Sequence, residues 1–107
     1  MYFILHLYEE KYLDDVMMAL IEAGIENTIV LSGENLSHKL TSDMPIFAGF
    51  RNSVRGHGYS KLISGQATRK QIDFMLEELH NAGIELIGKN LADIVLIPVE
   101  HYYKGEE

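Results

Sequence analysis

The chain contains no cysteine and no tryptophan, and only two prolines, in 107 residues. Without cysteine it can form no disulfide, iron–sulfur cluster or thiolate zinc site, and it has no cysteine nucleophile. No apolar run approaches the roughly 20 residues that a membrane-spanning helix needs. The start of the chain also lacks the basic region of a signal peptide. We therefore expect a cytoplasmic protein that does not insert into a membrane.

Basic residues are scarce: nine Lys and Arg stand against sixteen Asp and Glu, for a net charge of -7. This balance argues against binding to nucleic acid. The bases are not evenly spread, because six of them fall between Gly33 and Lys70, where there are only two acids. A basic segment in an acidic chain suits a small anion such as a phosphate or a carboxylate. The alternative is that these bases only keep a loop solvated.

Sequence motifs of catalytic and metal sites are missing. There is no phosphate-binding GxxxxGK[ST] loop, no GxGxxG after a strand and no GxSxG nucleophile elbow. The five histidines lack the HxxxH or HxH spacing that places two metal ligands on one face of an element. They are His6, His38, His57, His80 and His101. We therefore predict no catalytic residue, no metal site and no enzymatic activity.

A short internal repeat divides the chain into two related halves. The sequence Ala-Gly-Ile-Glu occurs at residues 23–26 and again at 82–85, each time after a segment with helical apolar spacing. The apolar positions are Leu13, Val16, Met17, Leu20 and Ile21 in the first helix, and Ile72, Met75, Leu76, Leu79 and Gly83 in the second. Thr68 and Gln71 form a capping-box signal at the second helix start, and Gly24 and Gly83 suit left-handed helix endings.

Each predicted helix lies between two strand-like segments. These segments span residues 2–8, 27–32, 59–66 and 93–99. The order is βαββαβ, which predicts a single ferredoxin-like α+β domain over residues 1–107, with a four-stranded antiparallel sheet and two helices on one face.

The sheet face away from the helices is predicted to be apolar. Strand alternation places Phe3, Leu5 and Leu7 on one face and Ile4 among the residues of the other, and residues 94–97 are apolar on both faces. A large exposed apolar face marks an interface, so we expect a homo-oligomer assembled through the sheets. Alternatively, residues 33–58 fold back over this face.

The connection over residues 33–58 is much longer than a normal hairpin loop, and long loops of this kind are often functional. It contains an apolar stretch at residues 44–50 that either docks onto a partner or packs on its own domain. Its candidate partner-binding residues are Pro45, Ile46, Phe47, Phe50 and His57. Arg51, Arg55 and the nearby Lys61 are candidates to hold the charge of a ligand.

Two stretches resemble the P-II family of trimeric signalling proteins. Leu-Asp-Asp-Val at residues 13–16 and Glu-Ala-Gly-Ile at 22–25 are similar to that family's first helix. Residues 94–100, Ile-Val-Leu-Ile-Pro-Val-Glu, are similar to its last core strand, and Gly105-Glu106 to the tail. The resemblance implies a homotrimer whose long loop, the T-loop, controls a transporter, an enzyme or another protein. It also implies adenine nucleotides (ATP, ADP or AMP) as effectors, bound between subunits near that loop and the B-loop before the last strand.

The chain departs from the family pattern at three places. The B-loop phosphate cradle Gly-Asp-Gly-Lys is replaced by Gly88-Lys89-Asn90, the modified T-loop tyrosine has no counterpart, and the paired tail arginines are reduced to Lys104. We therefore predict a divergent P-II-like regulator rather than a sensor of ATP and 2-oxoglutarate. The candidate ligand-binding residues are Arg51, Arg55, Lys61, Gly88, Lys89 and Lys104.

Two other functions share this architecture. One is a divalent-metal-binding trimer similar to the CutA family, which the scattered histidines and the lack of cysteine disfavour. The other is a small ferredoxin-like enzyme of the cofactor-free monooxygenase type, with His57 or His6 as the base.

Overall fold

The computed structural model describes residues 1–36, 39 and 59–105. The strands are β1 (Tyr2–Leu7), β2 (Thr28–Glu34), β3 (Tyr59–Gln66) and β4 (Ala92–Ile97). The helices are α1 (Leu13–Glu22), entered through a 3-10 turn at Glu10–Tyr12, and α2 (Arg69–Asn81). The strand order is β2-β3-β1-β4 with every neighbouring pair antiparallel. This is the predicted ferredoxin-like arrangement, and the prediction of the fold is confirmed.

Strand β4 stops at Ile97, two residues before the predicted end. Pro98 follows directly, and a proline has no backbone N–H to donate to a strand ladder. Ile97 is also the last register partner of Tyr2 at the start of β1. The proline therefore ends the strand where the neighbouring strand begins.

The core lies between the sheet and the two helices. Phe3, Leu5 and Leu7 of β1 are fully buried, and Ile63 of β3 lies opposite Leu5. The helices contribute Val16, Ala19 and Leu20 from α1 and Ile72, Met75 and Leu79 from α2. These apolar contacts, worth about 25 cal/mol for each Å² removed from water, hold the helices on the sheet.

The prediction for the buried face of α1 is partly wrong. Ile21 is 60% exposed and Met17 is 36% exposed, whereas Ala19 is buried. The apolar arc of α1 is wider than the strip that the sheet covers, so the helix settles with Val16, Ala19 and Leu20 inward.

Both helices end in the same hydrogen-bonded motif. Gly24 and Gly83 each have a φ of 83°. Ile25 N–H donates to Leu20 O at 2.9 Å, and Ile84 N–H donates to Leu79 O at 2.8 Å. These bonds define a Schellman ending, and glycine is needed because the left-handed conformation is strained for residues with a Cβ. The Thr68–Gln71 capping box at the start of α2 is also formed.

The sheet face turned away from the helices, here called the open face, carries exposed apolar side chains. Ile29, Leu31, Val95 and Ile97 are 60%, 55%, 52% and 41% exposed. They lie on β2 and β4, on either side of the central strands, and the register places Val95 opposite Ile4. This confirms the predicted apolar character of the open face.

Glu22 of α1 and Glu78 of α2 face each other at the surface of the helix layer. A side-chain hydrogen bond with Glu22 raises the pKa of Glu78 above its ordinary 4.5, and desolvation and repulsion from Glu22 and Glu77 act in the same direction. A raised folded-state pKa means that the protonated form is favoured on folding. The stability contributed by this pair is therefore present below pH 4.5 and is lost as the pH rises through the folded-state pKa.

Glu78→Gln is expected to keep a hydrogen-bonding side chain without the second charge. The free energy of unfolding of the variant should therefore fall less steeply with pH above 4.5 than that of the wild type. Urea denaturation at several pH values between 4 and 7 measures this slope. Asp73→Asn, an exposed acid on the same helix, serves as the control. A slope for Glu78→Gln equal to that of the wild type would contradict the assignment.

Candidate functional site

A polar cluster lies on the open face, where β2 ends and β3 begins. His6 Nε2 of β1 lies 2.7 Å from Ser60 Oγ of β3, and Ser60 Oγ donates to Asn35 Oδ1 at 3.2 Å. Because the single Ser60 proton goes to Asn35, the ring N–H at His6 Nε2 is the donor to Ser60. Ser60 is only 7% exposed, so its hydroxyl needs these partners. The cluster therefore connects β1 to Ser60, near the start of β3, and to Asn35, directly after the end of β2.

The cluster continues toward β4 through Tyr8. The rings of His6 and Tyr8 are 4.3 Å apart between centroids. Tyr8 OH donates to Asp93 Oδ2 at 2.6 Å, and Tyr8 N–H donates to Leu91 O at 2.8 Å. Asp93 is also the register partner of His6 across the β1–β4 ladder. Polar contacts therefore cross the whole end of the sheet, from Asn35 beside β2 to Asp93 on β4.

A cavity of about 360 Å³ opens beside His6 and Ser60 and is called here the strand-end cavity. Its polar lining comes from His6, Asn35 and Ser60, and its apolar lining includes Leu31 and Leu62. All five are positioned by the ends of β2 and β3 or by the central strand. The cavity thus has hydrogen-bonding groups on one side and aliphatic walls on the other, as small-molecule sites do.

Lys61, a candidate ligand-binding residue, lies on the opposite face of β3 from Ser60. Its Nζ donates to Ser32 Oγ at 2.5 Å and forms an ion pair with Glu10 at 3.1 Å. Its register partner Leu7 belongs to the buried core. In this arrangement the charge of Lys61 is engaged on the helix side of the sheet, away from the strand-end cavity.

Gly88 and Lys89 form a turn just before β4, here called the Gly88 turn (residues 87–90). Gly88 has a φ of 88° and Asn90 a φ of 59°, so the backbone is left-handed at both positions. Ala92 N–H donates to Leu86 O at 3.2 Å and closes the segment around the turn. Gly88, Asn90 and Asp93 line a shallow cavity of about 240 Å³. Lys89 is exposed at this turn, where it is free to meet a ligand in solution.

Lys104 lies at the other end of the sheet. It lines a cavity of about 610 Å³ together with Tyr2, Gln66 and Tyr102. Tyr2 is the first residue of β1, whereas the Gly88 turn lies beyond the last residue of that strand. Within one copy of the chain, the structure therefore does not bring Lys104 together with Lys89.

The remaining candidates lie outside the described residues. They are Arg51 and Arg55 for the ligand, and Pro45, Ile46, Phe47, Phe50 and His57 for a partner. Sequence reasoning missed Asn35, Ser60, Tyr8 and Asp93, and considered His6 only as a base. Alternation along β1 and β3 indicates that His6 and Ser60 share the open face, but their proximity depends on a register that the sequence does not reveal.

Within residues 1–36, 39 and 59–105, no three or more His, Asp or Glu side chains group as they would to hold a metal ion. In that same part of the chain, no helix has the length and apolar content to cross a membrane.

The chain matches no protein-family model, and no curated protein shows significant similarity to it.

Proposed function

We propose that this chain is a P-II-like regulatory protein that binds a small anion, such as an adenine nucleotide, and acts on a partner protein through the connection over residues 33–58. The observation that carries the proposal is the placement of the Gly88 turn and of both ends of that connection at the same end of a ferredoxin-like sheet. A ligand at the turn therefore lies at the end of the sheet from which the connection starts and to which it returns.

The Gly88 turn has the backbone features of an anion site. Left-handed residues in a turn direct successive backbone N–H groups to one side, and such concave arrangements bind anions. No side chain of the described residues comes within 4 Å of the place where a Cβ on Gly88 would be, so a ligand can approach this backbone. Lys89 adds one exposed positive charge beside it.

The proposal includes assembly through the open face, with a trimer as the expected state. The exposed side chains of Ile29, Leu31, Val95 and Ile97 form an apolar surface on an otherwise acidic protein. Burial of such a surface between copies is favourable because apolar area leaves the water. Assembly also offers a way to bring Lys104 of one copy to the Gly88 turn of another, which a single copy does not do.

Titration calorimetry with ATP, ADP and AMP, each with and without magnesium, tests the ligand. We expect saturable binding with a Kd of roughly 1 μM, about -8 kcal/mol. Lys89→Ala should weaken binding by roughly ten- to a hundredfold, since a hydrogen bond to a charged group contributes about 1.5–3 kcal/mol. Lys70→Ala, which removes an exposed lysine of α2, is the control and should bind as the wild type does.

Absence of binding by all three nucleotides would refute the nucleotide part of the proposal. Equal affinity of Lys89→Ala and the wild type would refute the assignment of the anion to the Gly88 turn. Equilibrium dialysis with copper and zinc, run in parallel, tests the metal-binding alternative directly.

A further inference from the structure

We propose that Tyr8 is a positioning residue that links the Gly88 turn to the two ends of the β2–β3 connection. This inference rests on the proposed function, because it describes how occupancy of the turn reaches the connection. It concerns only described residues at one end of the sheet. Tyr8 is 8% exposed, and its hydroxyl donates a hydrogen bond to Asp93.

Tyr8 is attached to the segment after the Gly88 turn at two points. Its N–H donates to Leu91 O at 2.8 Å, and its hydroxyl donates to Asp93 Oδ2 at 2.6 Å. Asp93 itself lines the cavity of the Gly88 turn. Any shift of Asp93 caused by a ligand at the turn therefore acts directly on the Tyr8 ring.

Through its ring and His6, Tyr8 is also linked to the residues at the ends of β2 and β3, between which the connection runs. Its ring contacts the His6 ring, with centroids 4.3 Å apart at an interplanar angle of 32°. His6 Nε2 is 2.7 Å from Ser60 Oγ, and Ser60 donates to Asn35. Ser60 pairs with Gly33, so this bond holds the last pairs of the β2–β3 ladder together. A movement of Tyr8 thus changes the contacts that close the ladder from which the connection departs.

Hydrogen exchange of the backbone amides of residues 33 and 60, the last hydrogen-bonded pair of the β2–β3 ladder, measures the opening of this ladder end in the absence of ligand. Ser60→Ala removes the bridging hydroxyl, and loss of a hydrogen bond worth about 0.5–1.5 kcal/mol raises exchange roughly two- to tenfold. Tyr8→Phe keeps the ring and removes the hydroxyl that donates to Asp93. It is expected to raise the exchange of the same two amides at least about twofold, because Tyr8 contacts His6, and His6 lies 2.7 Å from Ser60 Oγ.

The same strands supply matched controls. Tyr2 OH donates to Ser64 Oγ at 2.8 Å, which is the same pair of residue types on β1 and β3 at the opposite end. Tyr2→Phe and Ser64→Ala should leave the exchange of the two ladder-end amides unchanged. The amides of Leu5 and Ile63, in the core, report global unfolding and give the loss of overall stability in each of the four variants.

A double-mutant cycle decides whether Tyr8 and Ser60 act together. If the two residues are linked, the fold-change in exchange of the double variant differs from the product of the two single fold-changes. We expect a difference of at least about twofold. If the effects multiply, or if Tyr8→Phe changes exchange no more than Tyr2→Phe does, the inference is wrong. This cycle needs no ligand, so its result is independent of whether a nucleotide binds.

A second arm uses ATP as the probe. If ATP binds and changes the exchange of the ladder-end amides in the wild type, Tyr8→Phe should reduce that change to near nothing, whereas Tyr2→Phe should preserve it. Retention of the full ATP effect in Tyr8→Phe would overturn the inference. If ATP does not bind, the nucleotide proposal fails, and the ligand-free cycle alone decides the role of Tyr8.

Discussion

Val95→Glu is expected to give single copies of the chain, because assembly through the open face is part of the proposed function. Val95 is 52% exposed on the open face and lies opposite Ile4 of the central strand. Closing an apolar interface over a glutamate leaves a buried charge without a partner, which costs about 3–5 kcal/mol. The association constant of each interface should therefore fall more than about a hundredfold, because each 1.4 kcal/mol or so corresponds to a factor of ten.

Sedimentation equilibrium measures this effect. The wild type should have about three times the chain mass of 12.2 kDa, and Val95→Glu the mass of one chain at the same concentration. Met18→Glu is the control, because Met18 is 59% exposed on α1, in the helix layer rather than on the open face. Dissociation by Met18→Glu but not by Val95→Glu would show that the copies associate through the helices. A wild type that sediments as one chain would refute the assembly.

Gly65→Ala is expected to destabilise the fold by about 1–3 kcal/mol, the usual cost of overpacking a filled site. A Cβ at residue 65 would lie 2.6 Å from the backbone carbonyl oxygen of Asn27 and 3.0 Å from Thr28 Cγ2. The carbonyl belongs to the chain that leads into β2, so it cannot give way as a flexible side chain would. Thr28 is the register partner of Gly65, and therefore this close approach is built into the β2–β3 pair.

Thermal unfolding gives the comparison, with a shift of roughly 4–8 °C for each kcal/mol in a domain of this size. Gly33→Ala is the matched control, since Gly33 lies in the neighbouring strand and a Cβ there would meet no described atom within 4 Å. It should leave the melting temperature unchanged or raise it slightly, because alanine loses less backbone entropy than glycine on folding. Equal melting temperatures for Gly65→Ala and the wild type would contradict the role assigned to Gly65.

The parts of the structure that were predictable from the sequence depend on local interactions. The capping box at Thr68 and the glycine endings at Gly24 and Gly83 involve residues close together in the chain, and all three formed as predicted. The strand faces followed from the alternation of Phe3, Leu5 and Leu7 with polar and apolar residues between them. The buried residues of α1 were harder to predict, because its apolar residues span a wide arc and the sheet covers only part of that arc.

The candidate site was harder to predict, because its contacts join residues that are far apart in sequence. His6 and Ser60 are separated by 54 positions, and Tyr8 and Asp93 by 85. Their meeting depends on the register of two ladders, which no local pattern specifies. Lys61 illustrates the same point: its charge suggested a ligand contact, whereas the strand directs it to Glu10 on the helix side.

Strand β2 forms one border of the sheet, and this has a consequence for the solubility of the isolated chain. Ile29, Val30 and Leu31 are all at least 40% exposed, and residues 28–32 contain no charge and no proline. The unpaired backbone N–H and C=O groups of an exposed edge strand of this composition can pair with the same strand of another molecule. Variants that block orderly association should therefore precipitate as concentration rises, and a lysine in place of Val30 should suppress that precipitation. Ile29 and Leu31 also belong to the open face through which assembly is proposed, so a form of the protein that leaves this face and the β2 edge uncovered is expected to be prone to fibrous aggregation.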